Sequence, residues 1–331
     1  SNAVRNDQGH FNGAGEAARH WDADDAVSSR CSKCHSGSDG YRYFLKYGVE
    51  KPNATQDNGL DCGTCHEKVG QGGQWDLIEV QEVTFPNGKK VALMAKADIS
   101  NLCGTCHSGR ESKASVDATI ASGKLSFRNV HYLPAAATLA GGDAQIGYEY
   151  TGKTYVKAWT HPPGTTCTDC HDPKATNHGF KITQAVYAAT CGKTCHSTTP
   201  KLEDIKKSSR GTTDYDGDGT AENLGSELAG MAAKVKAQIL VAAGANKICY
   251  DSHAYPYWFI DTNGNGTCET SEANYGNSYK SWTPALLKAA YNYQFWAKEP
   301  GAWSHNFDYM AQLLYDSLAD IGGATTGMTR P

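Results

Sequence analysis

The chain has 331 residues and a formal net charge of −4, with 39% apolar and 20% charged residues. It has no basic block, which argues against nucleic acid and against an anionic membrane surface as partners. No run of eighteen apolar residues occurs, so no transmembrane segment is expected.

Ser1-Asn2-Ala3 reads as the scar of tag removal and is set aside; an export signal is expected to have gone with whatever preceded it. From there, five pairs of cysteines follow, each with a histidine directly after the second. They are Cys31, Cys34 and His35; Cys62, Cys65 and His66; Cys103, Cys106 and His107; Cys167, Cys170 and His171; and Cys191, Cys195 and His196. Four have two residues between the cysteines, and the fifth has three.

Cys-x-x-Cys-His is the attachment signature of c-type haem. The two thiols add across the porphyrin vinyl groups, and the turn between them brings the next imidazole under the iron. A zinc knuckle also uses paired cysteines but does not require histidine at that step. With twelve histidines in the chain, five landing there by chance has odds on the order of 10⁻⁷. Five haem c groups are therefore expected. Haem is attached to thiols outside the cytoplasm, which predicts an exported protein of the periplasm or outer cell surface.

Porphyrins supply flat apolar surface, so residues 4–200 are expected to be a pentahaem-binding domain of loops and short helices packed on haem. Two hairpin-like pieces interrupt it. One runs from Val83 to Leu93 around Asn87-Gly88, the other from Tyr148 to Val156 around Thr151-Gly152.

Residues 201–331 form a helical C-terminal region. Ser226 can cap a helix carrying Leu228, Met231, Val235 and Ile239 on one face and ending at Gly244. Thr283-Pro284 opens a second through Trp296, and Asn306 a third that stops at Gly322-Gly323. The fold class is mainly α with much irregular structure, a few short β-hairpins and a helical C-terminal region.

Two loops in this region have calcium-ligand spacing. Asp261, Asn263, Asn265, Thr267 and Glu272 match the EF-hand pattern, whose alternating oxygens wrap a hard cation. Asp214, Asp216 and Asp218 begin a second such loop, with Gly225 where the closing acid should stand, so Glu222 or Glu227 would have to substitute. A solvated Asx/Gly turn is the alternative for both. One or two structural calcium ions are expected. The remaining cysteines, Cys249 and Cys268, form an even pair and are expected as a disulfide, with two buried thiols as the alternative.

Low-spin haem needs a second axial ligand. Beyond the five motif histidines the chain has His10, His20, His131, His161, His178, His253 and His305. His20, His131, His161 and His305 are the better candidates. His10 and His178 compete for the fifth place, with His10 favoured. His253, beside Tyr255-Pro256-Tyr257-Trp258-Phe259, reads as structural, and the four methionines carry little weight.

The phrases GH…RHWD…CSKCHSG at 9–37, NVHYLPAAATLAGG at 129–142, HPPGTTCTDCHDP at 161–173, DYDGDG at 214–219, AYPYWFIDTNGNG at 254–266 and LLKAAYNYQFWAKEPGAWSHNFDYMAQLLYDSL at 286–318 resemble outer-surface multihaem cytochromes of Geobacter-type metal-reducing bacteria. The resemblance covers nearly the whole chain. It implies a multihaem cytochrome c fold that passes electrons to other redox proteins or extracellular acceptors. It also implies His10, His20, His131, His161 and His305 as distal ligands. Lys174 stands where a histidine often follows the fourth motif, which keeps His178 in reserve.

The leading functional reading is electron transfer with mostly bis-His haems and no bond chemistry. One rival is a nitrite, hydroxylamine or sulfur-oxyanion reductase with one open iron, against which the histidine surplus argues. The other is a filament subunit, in which an oligomer shares His10 between copies.

Overall fold

The computed structural model describes residues 26–55, 60–70, 72, 74–159, 161, 165–199, 201–205 and 212–331. His10 and His20 lie outside the described residues. The chain gathers into two compact units, each discontinuous in sequence. The first takes residues 1–83, 94–106 and 162–205, and the second takes 84–93, 107–161 and 206–331.

The first unit is made of short helices joined by irregular chain: Ser29–His35, Arg42–Tyr47, Cys62–Cys65, Ile99–Cys106, Cys167–Cys170, Gln184–Ala189, Cys191–Thr194 and Leu202–Ile205. Caps, rather than length, hold several of them. The Asp61 side chain accepts from the Thr64 amide at 2.8 Å to start Cys62–Cys65, while Thr166 and Asp169 form a capping box at Cys167–Cys170. Isolated helices of one turn are not stable in water, so packing must support them. Yet the larger apolar side chains this unit buries are few: Val27, Tyr41, Phe44, Leu60, Val80, Val83, Leu102, Val186 and Tyr187 among the described residues. Tyr41, Val80 and Leu102 form one cluster, closed by the Tyr41 hydroxyl donating to the Leu102 carbonyl at 2.9 Å.

The second unit has a conventional core. Helices Leu224–Ala243, Pro284–Lys298 and Phe307–Asp320 pack together through Leu228, Met231, Val235 and Ile239, Leu286, Leu287, Tyr291 and Phe295, and Met310, Leu313, Leu314 and Leu318, all buried. The start of the first of these is corrected. Asn223, not Ser226, is the cap, its side chain accepting from the Ser226 amide at 3.0 Å. Thr283 and Asn306 cap the other two as expected. By length and composition Leu224–Asn246 could cross a membrane. In this unit its Leu228 to Ile239 face lies in the helix core, and Lys234 and Lys236 stand off that face.

Strand pairing is slight. Ile248–Tyr250 pairs antiparallel with Trp258–Ile260, and Val83–Thr84 with Lys90–Val91. The segment 148–156 makes its turn but no ladder. Its backbone amides go elsewhere: Tyr148 to Asn292 Oδ1 at 2.7 Å, Tyr150 to the Tyr155 hydroxyl at 3.0 Å, and Val156 to Gln312 Oε1 at 2.9 Å. Helix side chains thus take two of these donors, and the segment's own Tyr155 takes the third. Cys249 and Cys268 are joined, with Cα atoms 5.2 Å apart.

Candidate haem and cation sites

Each cysteine pair sits on one helical turn, and the turn closes on its histidine. The amides of His66 and His171 donate to the carbonyls of Cys62 and Cys167 at 2.9 and 2.8 Å. In the fifth run the extra residue is absorbed by a wider turn, and the His196 amide still reaches the Cys191 carbonyl at 2.9 Å. The looser spacing therefore ends in the same closure. The ten motif cysteines form no disulfides.

The imidazoles share a second feature. His66 Nδ1 lies 3.0 Å from the Trp75 carbonyl, His107 Nδ1 2.8 Å from that of Leu133, and His171 Nδ1 2.6 Å from that of Phe180. A carbonyl only accepts, so Nδ1 carries the proton and Nε2 carries the lone pair. That tautomer and ring orientation suit a metal ligand held through Nε2.

The motifs do not meet in strict chain order, for the first meets the third. Cys34 Sγ approaches the Cys106 carbonyl at 3.9 Å, and Cys106 Sγ approaches the Lys33 carbonyl at 3.8 Å, joining the first and third motifs. Cys103 and Cys167 share a thiol hydrogen bond, and the Cys167 amide donates to Ser100 Oγ at 3.2 Å, joining the third and fourth. Cys170 meets Cys191, joining the fourth and fifth. Cys65 of the second packs with Cys106 on the Tyr41, Val80 and Leu102 cluster. Burial pushes the Cys65 and Cys170 thiols up to about 11. Shared thiol hydrogen bonds hold Cys103 and Cys106 well above their ordinary value. The acidic thiolate of a redox dithiol is absent from these four positions.

The second unit holds His107, His131, His161 and His305. His131 is half-buried at φ +77°, its ring 5.2 Å from that of Tyr132; His161 is exposed, 5.8 Å from the Trp159 ring. His305 Nδ1 lies 3.1 Å from Glu299 Oε1. His178, in the first unit, is exposed at φ +60° on the loop leading to Phe180. His253 has a side chain 94% exposed. Met231 and Met310 are buried on helix faces.

Two features of this region escaped the sequence reading. One is Glu299, signalled only as an acid six residues before His305. The other is Lys298, buried with Nζ 3.8 Å from the Tyr132 ring centre and 4.3 Å from that of Tyr257, donating to the Ser252 carbonyl at 2.6 Å. Burial pushes its ammonium down to about 8, with Asp251 pulling it back. Between that value and the unfolded one of 10.5, the unfolded chain binds more protons, so stability rises with pH. Thermal unfolding is expected to show rising stability from about pH 8 to 10, and Lys298→Met to flatten that slope.

The two acidic loops have one conformation. Asp214 accepts from the amides of Gly217 and Gly219 at 2.6 and 2.8 Å, and Asp261 from those of Gly264 and Gly266 at 2.6 and 2.8 Å. Asp216 and Asp218 each accept from the amide two residues on, as do Asn263 and Asn265, the latter from Thr267. Gly217 and Gly264 have φ +75° and +76°, which favours glycine. Glu272 accepts from the Thr262 amide at 2.7 Å, one step after the first aspartate. Glu227 does the same at Tyr215, at 2.8 Å, and also takes the Glu222 amide at 2.7 Å. Glu227 rather than Glu222 thus occupies the closing place. Oxygens of Asp214, Asp216 and Asp218 lie within 4.8 Å of one another, a spacing that fits a hard cation.

No model of a protein family matches the chain. It is 27% identical to the C-type polyheme cytochrome OmcB of Geobacter sulfurreducens over 356 aligned positions, covering 90% of this chain and 44% of that protein. OmcC of the same organism matches at 27% over 358 positions with the same coverage. Its homologues are multihaem c-type cytochromes. The chain spans less than half the length of the curated relatives it matches. Among solved structures, the outer cell wall cytochrome OcwA aligns with a TM-score of 0.46 and 18% identity, over 89% of this chain and 45% of that one.

Proposed function

We propose that this chain is an electron-transfer cytochrome carrying five covalent haem c groups through Cys31 and Cys34, Cys62 and Cys65, Cys103 and Cys106, Cys167 and Cys170, and Cys191 and Cys195. His35, His66, His107, His171 and His196 are the proximal ligands. His10, His20, His131, His161 and His305 are the distal ones, with His178 in reserve. The observation that carries this reading is the shared Nδ1-to-carbonyl contact of His66, His107 and His171, which turns each Nε2 into a ligand atom. The sparse apolar core of the first unit supports it, because porphyrins bound there would bury the surface its side chains do not. Haem supplies the one-electron couple; the protein holds, spaces and tunes it.

The neighbouring cysteines support a relay order of first, third, fourth and fifth haem, with the second beside the third. The homologues support an exported protein, placed here in the periplasm or at the outer surface, passing electrons to other redox proteins or extracellular acceptors. The Leu224–Ala243 helix is read as a core helix, and Cys249–Cys268 as a structural disulfide.

Calcium is proposed in both acidic loops, closed by Glu227 and Glu272. It would tie the Asp214 loop to the helix, where Asp216 packs so closely against Gly230 that a Cβ there would come within 1.5 Å of its carboxylate. Intact mass of the matured protein should exceed that of the polypeptide by five haems, and a mass equal to the bare chain would refute the reading. A chelator should lower the melting temperature by removing bound-ion stabilisation, and Asp261→Ala together with Asp214→Ala should abolish that response.

A further inference from the structure

Three histidines of the second and first units donate Nδ1 to neutral carbonyls, and His305 differs: its partner is a carboxylate. Glu299 is 2% exposed, and its Oε1 accepts from His305 Nδ1 at 3.1 Å and from the Gly301 amide at 2.9 Å. Its Oε2 is buried with no hydrogen-bond partner. Glu299 caps the C-terminal end of Pro284–Lys298, where the helix dipole disfavours an anion, so helix stability does not account for an acid there. Nor does packing. At Gly301 a Cβ would come within 2.5 Å of His305 Cε1, 2.8 Å of its Nδ1 and 2.9 Å of Glu299 Oε1. Gly301 has φ −89°, which any residue adopts, so its bareness serves the ring-to-carboxylate contact rather than the backbone.

We propose that Glu299 is a positioning and tuning residue that sets the haem closed by His305 at a lower reduction potential than a neutral hydrogen-bond partner at His305 Nδ1 would. A full negative charge on Nδ1–H draws the proton towards oxygen and raises electron density at Nε2. A more basic axial nitrogen stabilises the oxidised iron over the reduced one. The inference rests on His305 being an axial ligand. It makes this haem a site at which electrons do not rest, passing on to its neighbours once delivered by a redox partner.

The test is a spectroelectrochemical titration of the fully matured protein and its Glu299→Gln variant. Glutamine can keep both hydrogen bonds while removing the charge. The expected result is an unchanged haem count and low-spin spectrum, with one component moved positive by about tenfold in its reduction equilibrium constant, 59 mV for one electron. Potentials unchanged in a low-spin Glu299→Gln protein would overturn the proposal. Gly301→Ala leaves the acid in place but drives a methyl group into the contact, and it should move the same component the same way. Should Glu299→Gln fail to mature, an unmoved component in Gly301→Ala overturns the proposal instead. His305→Ala separates the two levels. A high-spin ferric haem there upholds ligation whatever the Glu299 result, whereas a fully low-spin spectrum withdraws the ligation and the proposal with it.

Discussion

Replacing Cys103 and Cys106 together by alanine is expected to release one haem of five and to interrupt the relay at its centre. Haem iron per chain and Soret absorbance should each fall by about a fifth. The third motif touches the first through Cys34 and Cys106, the fourth through Cys103 and Cys167, and the second through the cluster that Cys65 and Cys106 share. Removing its porphyrin is therefore expected to separate the first haem from the fourth and fifth. A control loses the same number of haems from the end of the order: Cys191→Ala with Cys195→Ala. After a sub-stoichiometric pulse of reductant, the control should still reach one shared equilibrium spectrum quickly, while the Cys103 and Cys106 variant should relax in separate phases. Identical relaxation in the two would show that the order drawn from cysteine contacts is wrong. Thermal unfolding should also fall more for the central variant, since Cys106 packs against the buried cluster of Tyr41, Val80 and Leu102.

The largest stability loss from a single substitution in the second unit is expected at Asn292. Its side chain is fully buried; Oδ1 accepts from the Tyr148 amide at 2.7 Å, and Nδ2 donates to the Tyr148 carbonyl and Ser317 Oγ, each at 2.9 Å. One amide thus does for Tyr148 what a neighbouring strand would have done. Asn292→Leu keeps the volume and removes all three bonds, leaving a backbone amide and carbonyl buried without partners. Each orphaned group costs about 1–3 kcal/mol, so the variant should lose about 3–5 kcal/mol against denaturant. Asn292→Ala adds a cavity and should lose at least as much. A change under about 1 kcal/mol in either would mean that water or a shifted backbone satisfies Tyr148. Haem content should not change in these variants, because the residues that bind haem covalently lie elsewhere in the chain.

What was legible beforehand follows the reach of each interaction. The five cysteine and histidine runs could be read as tight turns because each spans only five or six consecutive residues. The acidic loops could be read for the same reason, since one aspartate, two further oxygens and a glycine close on their own backbone. Helix starts at Thr283 and Asn306 were equally local. Ser226 also fits a cap pattern three residues on, and the Asn223 side chain accepting from the Ser226 amide shows where the helix begins. The failed hairpin at 148–156 had suitable turn residues, but Asn292 and Gln312, more than a hundred positions away, capture its amides.

By itself the amino-acid order laid out the pattern: ten thiols and five imidazoles in repeated spacing, two Asx/Gly loops of one kind, and three helices with apolar faces. Only the tertiary structure decided who neighbours whom. Cys34 finds Cys106, Cys103 finds Cys167, Glu227 displaces Glu222 as the closing acid, and Glu299 meets His305 across the gap that Gly301 leaves. The reason is physical. Covalent and capping patterns are satisfied within a turn of chain, whereas thiol contacts, buried carboxylates and borrowed amides depend on burial, which exists only once distant segments have packed.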